Sequence, residues 1–379
     1  MIGKNLGLYI HIPFCLKKCN YCDFVSYPDM EDYWDAYVTA LTGELVLLSG
    51  QFQNSLIRSV FIGGGTPSLL PPLYIERIFD TINRYYRMET NCEISIESNP
   101  GTLSASRLET YRNAGINRLS IGLQACQDFL LDKLGRLHTF SDFISALDLA
   151  RRFGFENINA DIIFGIPGQS LMDWKETVGI VAGLGLTHIS CYSLMIEEGT
   201  LFGELKEKGL IREADDELDR EMYHYAIDHF SAAGYEHYEI SNFAKPHREC
   251  IHNMNYWERG EYIGVGAGAH SLIGNRRYAN VPDIIRYIEG IREGRPALAE
   301  DHLISPDEAL AERMILGLRL VKGLDLQKVS EEFGIDVEKK YKKSLDTLLR
   351  KNLIKYEGKV IKLTERGIDL ANSVFVEFI

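Results

Sequence analysis

No run of about 18 apolar residues occurs in the chain, which excludes a transmembrane helix. The N-terminal "MIGKNLGLYIHI" is strand-like and too short for the apolar region of a signal peptide plus a cleavage site. Basic residues are outnumbered, 41 Lys and Arg against 54 Asp and Glu. The resulting net charge of −13 gives no basic surface for broad binding to nucleic acid. A disulfide framework is missing too. The seven cysteines are odd in number, three crowd together, and Cys92, Cys126, Cys191 and Cys250 are scattered. A reducing cytoplasm is the expected setting. The last absence is a fourth ligand. Cys15, Cys19 and Cys22 stand at C-x3-C-x2-C in "YIHIPFCLKKCNYCDF", whereas structural zinc sites take four Cys or His ligands.

What is there is an ordinary globular composition, 45% apolar and 25% charged, in a chain long enough for two or three domains. Short β-rich runs alternate with helical patterns. Strands are predicted at Leu6–Phe14, Ser59–Thr66, Cys92–Pro100, Arg118–Gln124, Ile158–Pro167 and His188–Met195. Helices are predicted at Asp32–Leu48, Pro72–Tyr86, Ser104–Ala114, Phe140–Phe153 and Leu171–Leu184. In the second, Leu73, Ile75, Ile78, Phe79 and Ile82 recur at helical spacing. Six β-α repeats imply a parallel sheet with right-handed crossovers, two units short of an eight-fold barrel. The expected fold is α/β, a partial (β/α)6 barrel over residues 1–204. Sites in such folds collect at the C-terminal ends of the strands. Polar and glycine residues gather there: the cysteine loop, Gly63-Gly64-Gly65-Thr66-Pro67, Glu97-Ser98-Asn99-Pro100, Gln124, and Asp161 ahead of Gly165-Ile166-Pro167-Gly168.

After Glu204 the texture changes. A charged helix is predicted over Arg212–Gly234, followed by an aromatic and glycine-rich stretch from Cys250 to Gly274. Together they suggest an α+β region at 205–304. From Ser305, helices near Pro306–Val321, Asp325–Phe333 and Val337–Lys351 precede a hairpin turning at Glu357-Gly358. This is the outline of a winged-helix-like module at 305–379. Such a tail can serve a DNA-binding regulator, but Lys339-Lys340 and Lys342-Lys343 read more simply as a solvated helix face.

Iron–sulfur clusters are held by cysteine thiolates, normally four. Three thiolates on one compact loop can hold three irons of a [4Fe–4S] cube and leave the fourth iron open. The alternative is a zinc knuckle completed by a distant residue such as His11 or Cys92. The glycine run permits close backbone approach to a ligand, or is a plain tight turn. Glu97 suits the vicinal hydroxyls of a ribose, or is a capping or surface carboxylate. In "HNMNYW", His252, Tyr256 and Trp257 offer an imidazole and flat aromatic faces with polar edges. The plainer reading is a hydrogen-bonded loop histidine beside core aromatics.

C-x3-C-x2-C with Tyr21 before the third cysteine resembles the radical S-adenosylmethionine (SAM) superfamily, whose partial six-fold barrel agrees with the repeat count. The resemblance implies a [4Fe–4S] cluster on Cys15, Cys19 and Cys22. The amine and carboxylate of SAM would chelate the open iron, and one electron would cleave SAM to methionine and a 5′-deoxyadenosyl radical. It implies a SAM site as well. Gly64, Gly65 and Thr66 would lie near the amino group, Glu97 on the ribose and Arg136 on the carboxylate. Gln124 and Asp161 would be further contacts, Tyr9 and Tyr21 would offer backbone contacts around the adenine and the cluster loop, and Phe24 would complete the set.

Within the superfamily, residues 6–300 resemble the oxygen-independent coproporphyrinogen III dehydrogenases and the HemW-type haem chaperones, and the tail resembles the C-terminal domain of both. The dehydrogenases carry a further cysteine two residues after the third, where this chain has Phe24. They also carry an N-terminal extension, whereas Cys15 lies fourteen residues from Met1. "HNMNYW" matches the H-N-x-x-Y-W signature of the chaperones. That match implies haem contact by His252, Asn253, Tyr256 and Trp257, with Cys250 as an alternative thiolate. The segment is expected to fold over the barrel mouth or to present haem at the surface. The expectation is therefore a cytoplasmic haem carrier that passes haem to apo-haemoproteins, membrane-bound respiratory enzymes among the candidates. SAM and the cluster would support or regulate it, and a homodimer is admitted. The alternative is an enzyme that decarboxylates coproporphyrinogen III.

Overall fold

A computed structural model describes residues 5–379. Six parallel strands form its centre: β1 (Asn5–Ile12), β2 (Leu56–Gly64), β3 (Arg87–Ser98), β4 (Arg118–Gln124), β5 (Asn157–Phe164) and β6 (His188–Ser193). They pair side by side in chain order. Helices α1 (Trp34–Ser49), α2 (Pro72–Tyr85), α3 (Ala105–Asn113), α4 (Phe140–Arg152) and α5 (Leu171–Gly183) connect them. Local signals set the helix starts. Thr139 with Asp142, and Ser170 with Asp173, form capping boxes at α4 and α5, satisfying N–H groups that a helix start leaves orphaned. Pro72 opens α2, where a missing N–H is tolerated.

The strands do not read as the continuous apolar runs expected of a sheet covered on both faces. They alternate with the two-residue period of extended chain. Leu6, Leu8, Ile10 and Ile12 of β1, Val60 and Ile62 of β2, and Leu119, Ile121 and Leu123 of β4 are buried in one core with the helices. Helix α2 adds Ile75, Ile78, Phe79 and Ile82 to that core, roughly 1.5–3 kcal/mol each. The other face carries Ser59, Glu93, Ser95, Ser120, Asn159, His188 and Ser190, all buried. Register sets Gly7 beside Ser59 and Ser59 beside Glu93. It also sets Ser120 beside Asn159 and Asn159 beside His188. The inner face of the barrel is thus a stack of polar rings.

Residues 205–304 build no sheet of their own. After helix α6 (Asp216–Ala232), β7 (Glu236–Glu239) and β8 (Asn242–Ala244) add antiparallel to β6. At the other edge β9 (Tyr262–Val265) pairs parallel with β1, and β10 (His270–Ile273), β11 (Arg276–Asn280) and β12 (Leu298–Leu303) follow antiparallel. The result is one twelve-stranded sheet. Helix α7 (Ile251–Trp257) lies between β8 and β9 in the chain and packs at the N-terminal ends of β1 and β2, on Gly7 and Ser59.

The tail has its own core, with Leu310, Met314, Val329, Leu345, Leu348 and Ile361. It comprises helices α8 (Pro306–Leu318), α9 (Leu326–Phe333) and α10 (Lys342–Arg350), and a three-stranded antiparallel sheet in which Leu324–Asp325 joins the Ile354–Glu357 and Val360–Leu363 hairpin. A bridge between Glu239 and Leu320 ties it to the main sheet. No helix among the described residues is long and apolar enough to cross a membrane.

Candidate functional site

The C-terminal ends of the parallel strands enclose a cavity of about 460 Å³. Cys15, Cys19 and Cys22 line it, together with Tyr21, Phe24, Gly64, Gly65, Thr66, Glu97, Gln124, Arg136 and Asp161. Of the residues expected around SAM, only Tyr9 is absent from that lining. Its ring stacks on Phe61 at 6.3 Å, and its hydroxyl lies 2.9 Å from His11 Nδ1.

The glycine run owes its composition to crowding. Gly64 has φ +115°, and a Cβ there would lie 2.6 Å from His11 Cε1. A Cβ on Gly65 would lie 2.7 Å from the Phe14 carbonyl oxygen and 3.0 Å from Cys15 Sγ. The run therefore packs directly under the root of the cysteine loop. Its N–H groups are used internally: Gly64 donates to Glu97 Oε2 at 3.1 Å, Gly65 to Ile12 O at 2.9 Å and Thr66 to Phe14 O at 2.8 Å. The loop itself is pinned by Asn20, which donates from its backbone to Leu134 O at 3.0 Å and from Nδ2 to Lys133 O at 2.9 Å.

The three thiols are free and half-buried, and burial pushes those of Cys15 and Cys22 above the usual range. Side-chain donors stand close to Cys19 and Cys15. Arg136 Nη1 is 3.5 Å from Cys19 Sγ and Thr66 Oγ1 is 3.6 Å from Cys15 Sγ. Among the described residues, no three His, Cys, Asp or Glu side chains converge on one ion position. A cluster needs no such convergence, because each thiolate binds a different iron. The alternative zinc ligands are engaged elsewhere. His11 Nε2 is 2.8 Å from Val25 O and its Nδ1 faces Tyr9, while the Cys92 thiol donates to Glu93 O at 3.7 Å. The donor set fits a [4Fe–4S] cluster.

Two carboxyls lie across the cavity from the thiols. Glu97 and Asp161 sit deep in the barrel, each with only partial access to the cavity. Burial, then the proximity of Asp161, pushes Glu97 up to about 8. Asp161 is raised by burial, against hydrogen bonds from Ser190, Asn159 and Ser120. Without a ligand Glu97 holds its proton at neutral pH, so it can donate one hydrogen bond and accept others. Gln124 ends β4 in the left-handed region at φ +70°, an unusual conformation for a side chain of this kind, worth roughly 1–3 kcal/mol of strain. Asn99, Tyr192 and Met195 also line the cavity; sequence reading placed Asn99 at the strand ends without giving it a role, and passed over Tyr192 and Met195. Asn99 was signalled by standing two residues beyond Glu97. Tyr192 continues the alternation His188, Ser190 along β6.

The "HNMNYW" segment is not at this mouth. It forms α7 at the opposite end of the strands, which excludes the first of the two expected placements, folding over the mouth. His252 is buried, with Nδ1 2.9 Å from Ser59 Oγ and Nε2 2.9 Å from Tyr256 OH. Its ring stacks on Phe61 at 5.3 Å. A neutral imidazole has one donor and one acceptor nitrogen, and here both are used. Cys250 is buried too, its thiol 3.5 Å from Glu93 Oε1, which also accepts from His252 N at 3.3 Å. Asn253, Tyr256 and Trp257 are half-buried, and the Arg319 guanidinium lies 4.4 Å from the centre of the Trp257 ring.

Fold and site together define a radical SAM protein. Residues 9–180 match the radical SAM superfamily and residues 304–370 match the HemN C-terminal domain. The coproporphyrinogen III oxidase (HemN) from Escherichia coli, described as a radical SAM enzyme, superposes with a TM-score of 0.88, covering 100% of this chain and 91% of that one at 23% identity. That likeness fixes the fold. Superfamily membership implies a [4Fe–4S] cluster and SAM as cofactors. Sequence similarity is more particular. The heme chaperone HemW of Bacillus subtilis is 37% identical over 372 residues, 98% of each chain. That of Escherichia coli is 39% identical over 269 residues, 71% of this chain and 70% of the relative. The chain belongs to the heme chaperone HemW family.

Proposed function

We propose that this protein binds haem and hands it to apo-haemoproteins, with a [4Fe–4S] cluster and SAM in a supporting or regulatory role. The observation that carries the reading is the near-complete coverage, at 37% identity, of a relative named as a heme chaperone. Cys15, Cys19 and Cys22 would hold the cluster. The bound cluster would supply an open iron and a single electron at the mouth. Glu97 and Asp161 would meet the ribose side of SAM, Arg136 its carboxylate, and the Gly64–Thr66 turn its methionyl end. Tyr21 and Phe24 would shield the cluster from water.

For haem, His252, Asn253, Tyr256 and Trp257 are the proposed contacts. Axial ligation by His252 would need α7 to shift, because both imidazole nitrogens are bonded. Contact through the aromatic edges of Tyr256 and Trp257 would not. Decarboxylation of coproporphyrinogen III is the reading we set aside, because Phe24 occupies the place where the dehydrogenases have a cysteine. The recipients, association into dimers and residence in the cytoplasm belong to the same proposal.

The test is anaerobic reconstitution followed by two assays on the same sample. Haem binding, read as a Soret band that saturates with added haem, is expected. Stoichiometric carbon dioxide from coproporphyrinogen III with SAM and reductant would reverse the reading.

A further inference from the structure

Three polar side chains span the gap between two of the three cluster thiols. Arg136 donates from Nη1 to Cys19 Sγ at 3.5 Å, and from Nη2 to Asn99 Oδ1 at 2.5 Å and Gly122 O at 3.2 Å. Asn99 Nδ2 lies 3.1 Å from Thr66 Oγ1, which lies 3.6 Å from Cys15 Sγ. The directions of these bonds follow from chemistry. A guanidinium can only donate, so the amide atom facing it must be the oxygen. The amide nitrogen then points to Thr66, whose oxygen accepts from it. The hydroxyl proton of Thr66 is left for Cys15, and a thiolate there is an acceptor.

The backbone of Asn99 is anchored at this point. Its N–H donates to Ser68 Oγ at 3.1 Å, and its carbonyl accepts from Thr102 Oγ1 at 2.8 Å. The third thiol meets a different donor, the backbone N–H of Phe24. Cys22 Sγ is 3.9 Å from Ser26 Oγ, whose proton goes to Phe24 O at 3.2 Å. The three thiols are thus inequivalent. Cys19 meets a charged side-chain donor, Cys15 a hydroxyl set by an amide, and Cys22 a backbone N–H.

We propose that Asn99 is a positioning residue for the iron–sulfur cluster. Through Thr66 and Arg136 it aims one donor at Cys15 Sγ and one at Cys19 Sγ, and so sets the reduction potential. The inference rests on the reading of Cys15, Cys19 and Cys22 as cluster ligands. Reduction adds negative charge, which donors to the cluster sulfurs stabilise, so their loss lowers the potential.

The experiment is a redox titration of anaerobically reconstituted full-length protein, with iron content measured on each sample. Thr66→Val is made in three backgrounds: wild type, Asn99→Leu and Asn99→Asp. In the wild type it is expected to shift the midpoint to more negative values. In the other two it is expected to add little. Asn99→Leu no longer fixes the Thr66 hydroxyl. Asn99→Asp keeps an oxygen for Arg136 but turns an acceptor toward Thr66, drawing its proton from Cys15. The added charge of Asn99→Asp shifts its own midpoint but cancels when the Thr66→Val shift is read within that background. An equal Thr66→Val shift in all three backgrounds, or none in the wild type, overturns the inference. If one Asn99 variant fails to take up iron, the other still carries the comparison. If both fail while Thr66→Val loads fully, Asn99 is required for assembly and the role in the potential is overturned. A wild type that takes up no cluster fails the cofactor reading instead.

Discussion

The two ends of one parallel sheet have been given opposite tasks. At the C-terminal ends the polar residues open on a cavity and keep capacity for a ligand. At the N-terminal ends, polar residues of the same strands are closed over by α7 and bonded to one another. Ser59 and Glu93 of β2 and β3 meet His252 and Cys250, and Glu97, four residues further along β3, looks into the cavity. A hydrogen-bonded column joins the ends. Asn159 Nδ2 bonds Asp161 Oδ1 at 2.8 Å and Ser120 Oγ at 2.7 Å, its Oδ1 bonds His188 Nδ1 at 2.6 Å, and His188 Nε2 meets Tyr238 OH at 2.8 Å. Position along a strand thus separates a site from a plug. A polar motif by itself does not say which of the two it is.

The largest expected effect breaks the mouth alone. Cys19→Ala should abolish the cluster, read as lost iron and lost broad visible absorption after reconstitution. The apo fold should hold, since Cys19 is half-buried on a loop. A variant retaining full iron would remove Cys19 from the ligand set.

The second breaks the floor alone. His252→Ala opens a cavity and strands Ser59 Oγ and Tyr256 OH, which should cost about 2–4 kcal/mol in denaturant unfolding. Iron content after reconstitution should stay at the wild-type level. An equal loss of iron would show that the two ends are not separable.

These ends also explain what was legible in sequence. The six repeats and the mouth residues were readable because periodicity and strand-end chemistry are local. "HNMNYW" was legible as a motif but not as a place. Its position depends on β8 and β9 joining opposite edges of the sheet, and no local signal encodes that pairing. The alternation of Leu6, Leu8, Ile10 and Ile12 with Gly7, Tyr9 and His11 was in plain view. It shows that the barrel interior is polar, and hence that a buried polar plug could sit there. Asn99 was visible at the strand ends but without a role, because the role proposed for it needs Thr66 and Arg136 beside it, and these come from two other segments.

A third effect is a difference in sign. Burial, then the charge of Arg118, pushes His252 down to about 3, against about 6.5 in the unfolded chain. Stability from the floor is therefore complete above about pH 6.5 and is lost as pH falls toward 3. Glu97 is raised to about 8, against about 4.3 unfolded. Its contribution is complete below about pH 4 and is lost as pH rises through 8. Glu97→Gln should therefore stabilise the apo protein at pH 8, by about 1–3 kcal/mol after allowing for its partial access to water, while weakening SAM in calorimetry. An apo Glu97→Gln protein no more stable than wild type at pH 8 would mean that Glu97 ionises normally.

The smallest effect on stability sharpens the comparison most. Phe24 and Trp257 are large aromatics at opposite ends. Phe24 is 65% exposed at the mouth, so Phe24→Ala should change stability by less than about 0.5 kcal/mol. Trp257 is half-buried and packs under Arg319, so truncating it should cost more, about 2–4 kcal/mol. Haem affinity should divide the same way if the macrocycle meets the floor. Trp257→Ala should weaken the Soret titration and Phe24→Ala should leave it unchanged. The opposite outcome, haem lost from a fully stable Phe24→Ala protein, would move haem to the cluster end. It would also leave "HNMNYW" with a purely structural task, that of closing the barrel.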